Sequence, residues 1–471
     1  MLYPPSSANA SPMAGQPADD SLRQMFLDIA QRLYNGDDPS DDPALLRQTA
    51  AQLLEGVEKG FGHALPDLEF GTPDYDTLEE LARNVYHFSA AKNYHELHDL
   101  SLALHDGDRL RSFDEFMRLA DEITGKYNLN WLRSEYNQAV AAAQCAARWN
   151  EYSSRKDIMP YLQYTAVMDG NTREEHAALN GVVKRIDDPF WDKYYPPNGW
   201  GCRCEAVQLP GSHYRETPDT DIQYPAVPKI FLANFGKSRM VFPQGHPYYK
   251  RLPKEQEHLL QEKSRAEVRR ILDNAEQYKA LKANPDYKDV DFDWKTGQLK
   301  AMHVRHEVKD PTKDELFFGS EKLTSTDLEI ECQNILFRQG NSAILCDEGI
   351  ERKRGIIDTA LDMELNGKMV DIASITKDSP DYRNRFIGKN KQIGAYNHLP
   401  YVEEKADTVC LHFHDPKMYS AEKVTNGYQG YLDCTYPDPE TGEPRHLSIK
   451  IKHVICTINE GDGRVEYFDF E

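Results

Sequence analysis

The sequence predicts an α+β, multidomain protein: a mostly helical N-terminal region with a small strand-and-loop subdomain, then a separate C-terminal α+β domain. Three observations predict it. The chain has 471 residues, too many for one typical core, so two or three domains are expected. From Asp20 to about Tyr152, apolar residues recur at three- and four-residue steps, the period of amphipathic helices. From about Val290 that texture gives way to short alternating runs broken by Thr-Gly and Asn-Gly, which are hairpin signals. The chain is thereby divided into a tail over 1–20, a first domain over 21–215, an irregular segment and charged helical linker over 216–289, and a second domain over 290–471.

The tail, MLYPPSSANASPMAGQPADD, is rich in Ser, Pro, Ala and Asp and is expected to be disordered. It has neither the basic start nor the apolar core of a secretory signal. LRQMFLDIAQRLY puts Leu22, Phe26, Ile29 and Leu33 on one helical face. Leu45–Val57 and Leu78–Tyr86 repeat the pattern, and Trp131–Trp149 predicts a long Ala-rich helix. PYLQYTAV (160–167) and CRCEAVQL predict strands, with a short helix through His176 and a Gly- and Pro-rich loop between them. Residues 205–250 hold many Pro and Tyr without periodicity and predict irregular structure. Lys254–Lys282 is a charged helical stretch that ends at ANPDYKD. Beyond it, VDFDWKTGQLKAMHV predicts a hairpin at Thr296-Gly297, Asp327–Arg338 a helix, and NSAILCDE a strand. IDTALDMELNGKMVDIASI predicts a hairpin turning at Asn366-Gly367, and Tyr382–Tyr396 a basic helix. DTVCLHFH, LSIKIKHVICTI and RVEYFDF predict further strands.

The formal net charge of -21 argues against a broadly basic, nucleic-acid-coating surface and leaves room for a local basic pocket. No run of eighteen apolar residues exists, so no transmembrane helix and no membrane partner are expected. Eight Cys scattered without secretory context predict the reduced thiols of a cytosolic protein.

Two blocks concentrate chemistry: DGNTREEHAALNG (Asp169–Gly181) and DPFWDKYYPPNGWGCRC (Asp188–Cys204). His176, Cys202 and Cys204 offer the imidazole and thiolate ligands that zinc prefers, with Asp169 as a candidate fourth. A Cys-x-Cys alone is a weak signal, since most zinc sites use Cys-x-x-Cys. The other reading packs the two Cys as small apolar residues while His176 hydrogen-bonds Asp169. On both readings the role is structural. Arg173 and Arg203 either fork onto carboxylates and lock the loops or face a partner. Trp191, Tyr194, Tyr195 and Trp200 sit among mixed charges, which fits core or a subunit contact better than a base-stacking platform.

These blocks resemble the signature of the phage Mu F-like head morphogenesis family, the minor head proteins of tailed phages. That pattern, Asp-x-x-Thr-Arg-x-x-His, a Gly, Pro-Pro and a closing Cys-Arg-Cys, falls here on Asp169, Thr172, Arg173, His176, Gly181, Pro196, Pro197, Cys202, Arg203 and Cys204. The resemblance extends over roughly residues 20–215. It implies a role in capsid assembly, the portal and other head proteins as partners, and a location in the virion head or the bacterial host cytoplasm.

In the second domain, Asp358 and Asp371 on neighbouring strands could share a face and hold Mg²⁺, with Arg385, Lys389 and Lys391 binding a phosphate. A metal-free nuclease would instead draw an acid–base pair from His303, His306, His412, His414 and Lys450. The bland alternative is that the Asp residues cap turns and the basic helix is a solvated face. The stretch ECQNILFRQGNSAILCDEG through RNRFIGKNKQIGAYN resembles the toxin tRNA nuclease domains of CdiA-type contact-dependent inhibition proteins. Its matching positions are Gly340, Asp358, Asn366, Gly367, Lys368, Asp371, Ile372, Lys391 and Gln392. The resemblance implies phosphodiester hydrolysis of tRNA or DNA, with Asp358, Asp371, Lys377, Lys391 and Gln392 as the catalytic set, in an appendage to the head domain or a toxin packaged through it. One departure stands against it. Ala373 occupies the place where metal-dependent nucleases of this pattern carry Lys, and Lys377 substitutes only if the strand ends early.

Overall fold

The structure is a computed structural model and describes residues 20–36, 42–211, 213–306, 316–318, 321–347, 361–437 and 443–470. The tail expected over residues 1–20 therefore lies, apart from Asp20, outside the described residues, as does Asp358. The chain forms two units. The first runs to Ile271 and includes Trp294–Thr296; the second takes Leu272–Asp293 and the chain from Gly297. The expected α+β, multidomain class is what the elements form: long helices in the first unit, a broad sheet in the second.

In the first unit α1 (Asp20–Tyr34), α2 (Pro43–Phe61), α3 (Pro73–Ala103), α4 (Phe113–Thr124) and α5 (Leu132–Ser154) build the bundle. Their starts follow from local chemistry. Asp42 accepts hydrogen bonds from the Ala44 and Leu45 amides with Pro43 at the first helical position, and Ser112 forms a capping box with Glu115. Helix α2 ends at Gly62, whose φ of 89° is the left-handed conformation that glycine adopts without cost. A seven-residue π-helical stretch, Gly125–Trp131, joins α4 to α5. The helix read at Leu78–Tyr86 is part of the 31-residue α3, whose buried face carries Lys92, Asn93 and Glu96 as well as apolar residues. That polar content hides the helical period from a hydrophobicity reading.

Helices α2 and α5 approach so closely that a Cβ at Gly60 would stand 2.1 Å from the Val140 carbonyl oxygen. Gly60→Ala is expected to destabilise the first unit by about 1–3 kcal/mol through overpacking against backbone that cannot yield. Urea unfolding followed by tryptophan fluorescence checks this, and an unchanged midpoint would refute the close approach. A two-strand hairpin, β1 (His105–Asp106) and β2 (Arg109–Leu110), links α3 to α4. After α5 comes a three-stranded antiparallel sheet of order β4-β3-β5, made of β3 (Tyr161–Thr165), β4 (Val183–Arg185) and β5 (Glu205–Gln208). It carries the short helices α6 (Glu174–Ala177) and α7 (Phe190–Tyr194) in its connections. Past β5 the chain is largely irregular, with the short α8 (Phe235–Ser238) and α9 (Pro247–Lys250), and then enters α10 (Lys254–Ala283).

The second unit is built on an eight-stranded mixed sheet of order β17-β16-β13-β12-β11-β10-β7-β6. Its strands are β6 (Tyr287–Asp293), β7 (Gln298–His303), β10 (Ala343–Leu345), β11 (Met363–Leu365), β12 (Lys368–Ser374), β13 (Thr408–Phe413), β16 (His453–Ile458) and β17 (Arg464–Asp469). Small ribbons β8–β9 (Leu316–Phe318, Glu321–Leu323) and β14–β15 (Thr435–Pro437, Pro444–His446) stand outside it. The parallel pairs β7–β10, β12–β13 and β13–β16 are bridged by helices. Helix α11 (Ser325–Arg338) covers one face, packing Cys332 and Leu336 on Leu345, Ile372, Cys410 and Ile455. Helices α12 (Arg383–Tyr396) and α13 (Ala421–Leu432) cover the other, packing Phe386, Ile393, Val424 and Tyr431 on Val409, Leu411, Val454 and Cys456. Buried on both faces, the central strands are largely apolar, as a parallel sheet requires, with Asp371, His412 and Thr457 as buried polar exceptions. The expected turns form where they were read: Gly297 has φ 73°, and Asn366 and Gly367 have φ 51° and 83°. The last long strand starts later than LSIKIKH suggests, at His453.

Candidate functional sites

The signature loops are held by a small set of polar contacts. His176 sits on α6 and is buried; Cys202 and Cys204 flank Arg203 just before β5. Both Sγ atoms lie 3.6 Å from the same nitrogen, Nδ1 of His176. The hydrogen bond between the two sulfurs, with His176 beside them, draws Cys202 below the ordinary thiol range and pushes Cys204 above it, so the pair shares a proton. Asp169 is not part of this group. Its two carboxylate oxygens accept from Nη1 and Nη2 of Arg203 at 2.7 and 2.6 Å, and the Arg203 hydrogen bonds hold its pKa far below the usual carboxylate range. The expected fourth ligand and the expected His176–Asp169 hydrogen bond are both replaced by this bidentate fork, because a guanidinium matches a carboxylate better than an imidazole does.

Arg203 thus takes the internal-lock role read from sequence, while Arg173 donates to the Trp200 carbonyl at 2.6 Å. Gly199 lies against both residues; a Cβ there would be 3.0 Å from Arg173 Nη1 and 3.6 Å from the His176 ring. Asn198, fully buried in the Pro-Pro-Asn-Gly turn, accepts from the Tyr164 hydroxyl at 3.0 Å and so ties the turn to β3. Tyr164 and Asn198 are site residues that sequence reasoning passed over; the Asn in a Pro-Pro-Asn-Gly turn was the available signal. Trp191, Tyr194 and Tyr195 are core.

In the second unit the structure gathers acids and one lysine near the β12 edge of the α12 face. Lys389 on α12 reaches Asp371 Oδ1 at 3.0 Å and Asp362 Oδ2 at 3.6 Å. Asp362 also accepts from the Ile372 amide at 2.7 Å. Burial, then Asp362, raises the Asp371 pKa well above its ordinary value. Burial works against the charge on Lys389, but Asp362, Asp371 and Glu329 together hold its pKa above the ordinary lysine value. Glu329 on α11 meets His306 Nε2 at 2.9 Å, and His306 Nδ1 faces the Cys346 carbonyl at 2.9 Å. Both ring nitrogens of His306 face acceptors, and burial raises the Glu329 pKa above the ordinary carboxylate value.

Of the residues expected to be catalytic, Asp371 is in this cluster. Lys391 and Gln392 are exposed on α12, and Lys377 is exposed in the loop after β12. Lys389 and Lys391 differ by about 200° around a helix, so a helix that presents one to Asp371 turns the other away. Asp362 and Glu329 were not singled out from sequence. His412 and His414 instead bracket Glu331, at 3.1 and 2.9 Å, and Lys450 lies against Gly394.

Taken together, the first unit is a helical bundle with a small sheet whose loops carry an Asp–Arg fork and a His–Cys–Cys group. Residues 97–207 match the family model described as Phage Mu protein F like protein, so the head-morphogenesis resemblance holds over that stretch. The chain is 45% identical over 85 residues to protein F of Escherichia phage Mu, whose name assigns it provisionally to capsid assembly. That alignment covers 18% of this chain and 19% of the Mu protein. It is 48% identical over 78 residues to the Mu-like prophage FluMu F protein of Haemophilus influenzae, covering 17% and 19% of the two chains. The chain thus spans about a fifth of the length of these curated relatives. No solved structure matches it significantly. Among the described residues, no helix is long and apolar enough to cross a membrane.

Proposed function

We propose that the chain is a phage or prophage minor head protein acting in capsid assembly, with the portal and other head proteins as partners. The observation that carries this reading is the family match over residues 97–207, a stretch that includes the pinned loops. On this reading the Asp169–Arg203 fork presents a fixed surface to the head. The test uses particles produced by the genome that encodes the chain. Immunoblotting of gradient-purified heads should find the protein, and Arg203→Glu should lower the yield of filled heads seen by electron microscopy. Heads that form normally and lack the protein would sink the proposal.

A second reading is supported by the Asp362–Asp371–Lys389 cluster: the second unit is a nuclease acting on tRNA or DNA. Among the described residues Asp371 Oδ2 is buried and accepts no hydrogen bond, and Asp362 shares Lys389 with it, a pair of carboxylates that suits a hard divalent cation such as Mg²⁺. Such an ion would supply positive charge to a phosphodiester under attack. Lys389 would contribute a fixed cation at the same place. Full-length protein incubated with total tRNA and with linear DNA, in Mg²⁺ and in EDTA, separates the possibilities. Cutting that EDTA stops supports a metal-assisted nuclease; no cutting of either substrate leaves the second unit architectural.

A further inference from the structure

The two thiols of the Cys-x-Cys step and one imidazole nitrogen converge on a single point, and we propose that His176, Cys202 and Cys204 form a zinc site with three protein ligands and one exchangeable position. The ligand atoms all lie within 4.8 Å of one another. Zinc–sulfur and zinc–nitrogen bonds of about 2.3 and 2.0–2.1 Å at a tetrahedral angle place sulfur and nitrogen about 3.5 Å apart. The two observed separations are 3.6 Å each. A single two-centre hydrogen bond to one sulfur would not bring the other to the same distance, whereas a shared ion would. A metal at the shared point uses the lone pair of Nδ1 and both sulfurs at once.

The surroundings suit the ion. His176 and Cys204 are buried, 4% and 8% exposed, while Cys202 is partly open. Asp169 is committed to Arg203 and leaves the fourth position to water or an exogenous donor. Metal binding needs both sulfurs as thiolates and releases to solvent the proton they still share. The site would cross-link α6 to the approach of β5, the two segments between which the pinned loops run. The proposal is independent of the assembly role, since heads could form with or without the metal.

Full-length protein is purified under reducing conditions, equilibrated with zinc, desalted, and analysed for metal. About one zinc per chain is expected. Replacement by Co²⁺ should give thiolate-to-cobalt charge-transfer absorption and the strong visible bands of a tetrahedral site. His176→Gln, Cys202→Ser and Cys204→Ser should each lose that equivalent. Cys332→Ser and Cys410→Ser, which alter the thiol pair 3.5 Å apart in the second unit, should keep it. Should a ligand variant fail to fold, alkylation of the unsubstituted protein decides the matter: zinc should slow modification of Cys202 and Cys204 and leave Cys434 unaffected. Folded protein that retains no zinc, a Co²⁺ spectrum without thiolate bands, or one equivalent of metal surviving Cys202→Ser and Cys204→Ser would overturn the proposal.

Discussion

Lys92→Met is expected to lower the stability of the first unit by about 3–5 kcal/mol, the cost of leaving a buried charge without its partner. Lys92 on α3 and Glu135 on α5 are both fully buried and 2.6 Å apart, and Lys92 also donates to the Tyr127 carbonyl at 2.8 Å. Removing the ammonium takes away the charge that Glu135 faces at 2.6 Å and leaves the weaker contact of the Tyr248 hydroxyl, 3.4 Å away. The double variant Lys92→Met, Glu135→Leu should recover most of the loss, because a well-packed apolar pair replaces a buried ion pair at little cost. Four of the five Trp, at 131, 149, 191 and 200, lie within the first unit's own elements and loops, so tryptophan fluorescence in urea follows chiefly its unfolding. A double variant as unstable as the single one would refute the pairing.

The same network makes stability depend on pH. Burial, opposed by Lys92, pushes Glu96 up from 4.5 to about 8, and Asn128 donates to it at 2.5 Å. Between those two values the folded chain keeps a proton that the unfolded chain has lost. Stability therefore falls as pH rises through this window, by up to about 1.4 kcal/mol per unit. Glu96→Gln, which mimics the protonated acid, should flatten that slope. A slope unchanged in Glu96→Gln would place the titration elsewhere.

What was legible in the sequence was what local rules decide. Asn366-Gly367 and Thr296-Gly297 announce their hairpins because the turns need positive φ, and Asn and Gly supply it. That an arginine of these loops forks onto a carboxylate was one of two readings open in the sequence; that the pair is Arg203 with Asp169 was not, since Asp169 was read as a partner of His176 or of a metal. Helix α13 was missed: AEKVTNGYQGYL carries two glycines and much polarity, and its buried face is only Val424, Gly427, Tyr428 and Tyr431. Gly427 is there for close approach, since a Cβ would stand 2.7 Å from the Tyr382 amide nitrogen. The pairing of Lys389 with Asp371 was not legible in detail. It depends on how α12 is rotated on the sheet, which Phe386, Ile393 and their distant partners set together. Distance along the chain points equally to Lys391, and only packing separates them.

That rotation yields the second large effect. If the second unit cuts nucleic acid, Asp371→Asn and Lys389→Met are each expected to reduce cleavage by about 10³-fold or more, the loss typical of removing a preorganised charge from a buried reaction centre. Lys391→Met, Lys377→Met and Gln392→Ala should stay within a few-fold of the unsubstituted protein, apart from weaker substrate binding at high salt where a lysine is lost. Asp371→Asn preserves shape and removes charge beside Lys389, so circular dichroism and a urea titration must first establish that it folds. Asp362→Asn should resemble Asp371→Asn, because Asp362 shares Lys389 and also fixes the β12 backbone through the Ile372 amide. The opposite pattern, with Lys391→Met inactive and Lys389→Met active, would move the reaction centre to the exposed face of α12. The buried acids and Lys389 would then be a structural ion network inside the sheet domain.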